Sequence, residues 1–190
     1  MLHSVLAGDH ILRPTPDARS GATAPADVVP AAAVRDADPT ATPPEVRTVT
    51  GETLFFPAAR KAELEGFCRS HGIPLVSRPD VWGDLLEPFL DTEFTPRRRA
   101  VTAQALARVG LDETAVAGIR AEVGPLVLAY NSLHRDWFHL GLADLLDAAT
   151  SGSTPERYRV GPDRFPAFRA WAMAIADSGR TPGPSAPLTA

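Results

Sequence analysis

One cysteine, one lysine and five histidines leave few routes to common protein chemistry. A lone Cys68 excludes an internal disulfide and a cysteine-rich zinc site. Lys61 is the only candidate for a Schiff base or a phosphate-cradling lysine, and no motif surrounds it. The Gly-x-x-x-x-Gly-Lys-[Ser/Thr], Gly-x-Gly-x-x-Gly and Gly-x-Ser-x-Gly patterns are all missing. So is any run of about 18 apolar residues, so no membrane-spanning helix is expected. Met1 to Asp9 lacks a basic n-region, which predicts no secretion signal and a cytoplasmic protein. A net charge of −4 gives no general attraction to nucleic acid or anionic lipid. No nucleic-acid or membrane partner is therefore expected.

What is present is 190 residues, 44% of them hydrophobic and 22% charged, enough for one globular domain with chain to spare. The 19 prolines are unevenly placed. Seven fall within residues 1–45, among Ala, Thr and Asp and without an aromatic residue. Such chain buries too little apolar surface to offset about 1–2 kcal/mol per residue of ordering entropy. Residues 1–45 are thus predicted to be a disordered arm, and 179–190, with three prolines, a disordered tail. A single domain is expected over 46–178.

Within it the periodicity is mostly helical. Val46 to Phe56 alternates loosely around Thr50-Gly51-Glu52-Thr53 and predicts a hairpin or extended pair. Leu64, Phe67, Cys68 and His71 predict a helix over 58–71, closed by Gly72. Ile73 to Val76 reads as extended. Ser77 and Pro79 open a helix whose apolar face is Val81, Trp82, Leu85, Leu86, Phe89 and Leu90, bent at Pro88. Thr95-Pro96 starts another over 97–109. From Asp112 a three–four apolar alternation runs to Leu140 and beyond, which predicts one long bent helix to about Ala149. A last helix spans about 164–178. The expected fold is mainly α, an irregular helical bundle with a long bent helix. It carries a short hairpin or extended pair at its N-terminal side.

Candidate site residues follow from exceptions to these patterns. Asp144 falls on the seam of the long helix, where an apolar residue belongs, so it is either a frayed helix end or a carboxylate in a pocket. His134 falls amid the apolar side, as a core histidine or as a ligand or general base. Asp136 and His139, at i and i+3, could touch one ion or form a solvated pair. Asp80, Asp84, Glu87 and Asp91 form an acidic stripe, with Glu93 beyond it. The stripe is a metal candidate, a solvated face, or a dock for Arg97, Arg98 and Arg99. Asp84-Leu-Leu-Glu87 supplies only half of the carboxylate set of a helical nucleotide pyrophosphohydrolase. Cys68 reads as a core thiol.

Two functions fit these features. One is a non-catalytic binding or regulatory module that meets a protein partner through the acidic helix face. The other is a metal-dependent hydrolase with a carboxylate–histidine site between the 80–93 and 131–147 helices, using a divalent metal. Its catalytic candidates are His134 and Asp144, and its metal candidates are Asp84, Glu87, Asp91, Asp136 and His139.

Overall fold

The computed structural model describes residues 3–13, 27–136 and 138–178. Among them it places two three-stranded antiparallel sheets and six α-helices. The fold is therefore mixed α and β, which corrects the expected mainly α bundle with a single hairpin. Most of the additional strand comes from the stretch read as an arm. β1 (Val5–Ala7), β2 (His10–Arg13) and β3 (Asp27–Pro30) form the first sheet, in that order. β4 (Val34–Asp38), β5 (Glu45–Thr48) and β6 (Thr53–Phe55) form the second. Residues 14–26 and the predicted tail 179–190 lie outside the described residues.

The strands are three to five residues long, too short for a period-two pattern to stand out. Pro30 is tolerated because it closes an edge strand. Gly8, at φ +63°, turns the first hairpin. The hairpin expected around Thr50–Thr53 is present as β5–β6, with Gly51 at φ +84°. Residues 74–76 extend the second sheet beside β4: Ala37 N–H donates to the Pro74 carbonyl at 3.0 Å, and Val76 N–H to the Ala37 carbonyl at 2.8 Å.

The helices are α1 (Lys61–His71), α2 (Val81–Leu86), α3 (Pro96–Arg108), α4 (Glu113–His134), α5 (Leu142–Thr150) and α6 (Phe165–Ala176). Gly72, at φ 66°, caps α1 as its position predicts. Two helices depart from expectation. Asp80 caps α2, not Ser77, and Pro88 ends the helix in a single 3₁₀ turn over Glu87–Phe89 where a bend was expected. The long helix passes Pro125 but stops at His134, with Arg135 left-handed at φ 52°. Asn131 makes the break. Its amide donates to the carbonyls of Phe89 and Asp136, both at 3.0 Å, and its oxygen accepts Asp136 N–H at 2.7 Å.

Two apolar cores result. Ile11, Val46, Leu54 and Phe56 from the sheets meet Leu64, Phe67 and Cys68 of α1 in one. The helices α2 to α6 pack around Trp82 in the other, and its indole N–H donates to the Ala172 carbonyl at 2.8 Å. The second sheet separates the two. Val46 and Leu54, paired across β5–β6, face the first core, while Phe55 packs against the helical one. Glu45 and Arg47 share the face of Phe55, so a charged strand face meets the helices. Among the described residues, no helix is long and apolar enough to cross a membrane.

Candidate functional site

The charged face of the second sheet is resolved by residues from distant parts of the chain. Asp36 lies opposite Arg47 across β4–β5, a favourable pair, but Asp38 lies opposite Glu45. Arg78 relieves that like-charge contact. Its Nη1–H donates to Glu45 Oε1 at 2.7 Å, its backbone N–H to Asp38 Oδ2 at 2.7 Å, and its Nη2 pairs with Asp36. Arg47, 4% exposed, donates to Asp177, just past α6, and to the carbonyl of Ala176, the last residue of α6. Arg35 reaches the same Asp177 at 3.0 Å. Burial opposes ionisation of Asp177, but Arg35 and Arg47 win and hold its carboxyl down to about 2. Burial dominates at Glu45 and pushes it up to about 7, against the pull of Arg47. A polar cavity of about 190 Å³ opens here, lined by Asp38, Glu45, Arg47, Arg78 and Asp80.

At Asp80 the two segments flagged by sequence meet. The His139 ring donates from Nε2 to Asp80 Oδ2 at 2.7 Å. Asp136 positions that ring: it lies in the 135–141 loop rather than on a helix, and Oδ1 accepts the N–H of Phe138 and His139 at 2.9 and 3.1 Å. Two glycines make room. A Cβ on Gly141 would lie 2.8 Å from His139 Cε1, and one on Gly83 would collide with the Asp80 carboxylate. The hydrogen bond to Asp80 raises the His139 pKa, against burial. Asp144 is half-buried in the first turn of α5, where Oδ2 accepts Gly141 N–H at 2.9 Å. Burial raises its pKa, and the Gly141 bond lowers it. It is neither a frayed helix end nor a seam residue of one long helix.

The other candidates stand apart from this pair. His134 is exposed, stacked on Tyr130 at 3.9 Å, with its Nδ1–H on the Tyr130 carbonyl at 2.9 Å. It is not the core histidine of the long-helix reading. Glu87 is bridged by Arg98 at 2.5 Å. Arg120 donates to the Leu85 and Asp84 carbonyls at 2.9 and 3.0 Å. Burial, with Asp80 and Glu87 nearby, pushes Asp84 up to about 6. Asp91 is exposed. Cys68 is buried, and burial pushes its thiol up to about 11. Among the described residues, no group of three His, Cys, Asp or Glu side chains is placed to hold one metal ion.

A larger feature was not anticipated. A groove of about 1280 Å³ runs between the β5–β6 hairpin and the α5–α6 pair. Phe55, Leu146, Phe165 and Met173 give it apolar walls. Small residues line it on the facing helices: Ala143 and Ala149, both buried, on α5, and Ala170 and Ala174, both exposed, on α6. On its rim Glu52 joins Arg13 and Arg169. The alanines at i and i+4 on α6 were a visible signal, but their meaning depends on which face the hairpin covers. Glu45 and Arg47 were likewise readable as an i, i+2 charged strand face. The predicted domain boundary fell between them. Comparison with protein-family models, curated proteins and solved structures finds no match to this chain.

Proposed function

We propose that the protein is a non-catalytic binding module whose ligand surface is the groove between β5–β6 and α5–α6. The observation that carries this reading is the groove itself, concave and largely apolar. Such a surface is the usual form of a site for an apolar ligand. The acidic helix face is the weaker surface. Glu87 is engaged by Arg98 and Asp80 by His139, which leaves less free negative charge to attract a partner. The metal-dependent hydrolase draws its support from the Asp80–His139 contact between the 80–93 and 131–147 segments. No third ligand candidate joins that pair among the described residues.

The groove can be filled without touching the core, because Ala170 and Ala174 are exposed. Ala170→Trp and Ala174→Trp are expected to weaken binding of the amphiphilic dye 1-anilinonaphthalene-8-sulfonate by about tenfold or more, equivalent to about 1.4 kcal/mol. Their melting temperatures should stay near that of the wild type. Dye titrations that give the same affinity for all three proteins would remove the groove as the binding surface.

A further inference from the structure

We propose that the polar cavity beside Glu45 is a second binding site, for a small primary ammonium compound. Its volume of about 190 Å³ suits a molecule of a few non-hydrogen atoms. With Glu45 ionised, the charge network around it is net negative. Asp36, Asp38, Glu45, Asp80 and Asp177 face only three guanidiniums, Arg35, Arg47 and Arg78, with His139 on Asp80.

The hydrogen-bonding capacity left over includes acceptors. The Nη groups of Arg78 are held by Glu45 and Asp36, and those of Arg47 by Asp177 and the Ala176 carbonyl. Arg47 Nε has no hydrogen bond, but it has no accessible surface to offer a ligand. Acceptors remain. Glu45 is 8% exposed, and its Oε1 takes the Arg78 bond while no hydrogen bond reaches Oε2 among the described residues. Thr42 and Ser77, both exposed, supply hydroxyls at the cavity edge. An alkylammonium carries three N–H donors, which the free Glu45 oxygen and the Thr42 and Ser77 hydroxyls can accept. Phe55, half-buried and also in the lining, offers an apolar surface for its carbon chain. A carboxylate that gains such a partner ionises more readily.

The test is thermal melting of the full chain with n-propylammonium, n-propanol or tetramethylammonium at matched ionic strength. Tetramethylammonium keeps the charge and lacks the N–H donors, and propanol keeps the chain and lacks the charge. Propylammonium alone is expected to raise the melting temperature, by a few degrees at about ten times its Kd. Glu45→Gln should abolish the rise. Carboxyl carbon-13 NMR of the wild type should show the Glu45 titration midpoint fall by about one pH unit or more with saturating propylammonium. That readout decides the matter if Glu45→Gln fails to fold. Equal rises with propanol or tetramethylammonium, a rise retained in Glu45→Gln, or an unmoved Glu45 midpoint would each overturn the proposal.

Discussion

His139 is held from three directions: Asp136 fixes its backbone, Gly141 leaves space for its ring, and Asp80 accepts its Nε2–H. The pair ties the loop between α4 and α5 to the start of α2. Because its folded pKa is raised above 6.5, the pair contributes stability fully below that value. The contribution is lost as pH rises through the folded pKa. Asp80 is 56% exposed at its side chain, so the effect is screened and limited to about 1 kcal/mol or less. Wild type should therefore melt above His139→Gln at pH 5.5, and the gap should narrow by pH 8.5. The titration of Asp84 near 6 is common to both proteins and largely cancels in the difference. A gap that is the same at both pH values would mean that ionisation of His139 plays no part. Both ends of this pair were visible in the sequence as polar residues in marked segments. Their meeting was not, because it depends on α4 stopping at His134.

At the scale of elements, local signals and tertiary ones separate cleanly. Thr95 and Asp112 cap α3 and α4 through their side chains, at 3.2 and 2.8 Å, where the sequence places them. The end of α4 carries no local stop signal such as Gly or Pro. It is set by Asn131 reaching Phe89, 42 residues away. The strands of the first 38 residues were illegible for a related reason. Each is short, and their buried residues Ile11, Val29, Val34 and Ala37 gain their partners from α1 and the second sheet. The packing of that sheet on the helices rests on Arg47, which joins β5 to the end of α6. Arg47→Met removes a buried cation from between Glu45 and Asp177, at an expected cost of about 3–5 kcal/mol. Urea unfolding measures it directly. A change below about 0.5 kcal/mol would show that the network contributes little to holding the two layers together.

For the whole molecule, the described residues form two apolar cores with a charged sheet face between them. Both proposed sites lie where that sheet meets the helices. The groove has Phe55 in its wall, and the polar cavity has Glu45, its cross-strand neighbour. Composition made a globular domain legible, and the alternation around Thr50–Thr53 made the β5–β6 hairpin legible, but the groove depends on that hairpin facing α5 and α6, which no local pattern encodes. The most direct test of the account is a map of backbone amide shifts on titration with 1-anilinonaphthalene-8-sulfonate. The account predicts the largest shifts at Thr53, Phe55, Ala143, Leu146, Ala170 and Ala174. Largest shifts along Asp80 to Glu93 instead would contradict it and return the binding surface to the acidic helix face.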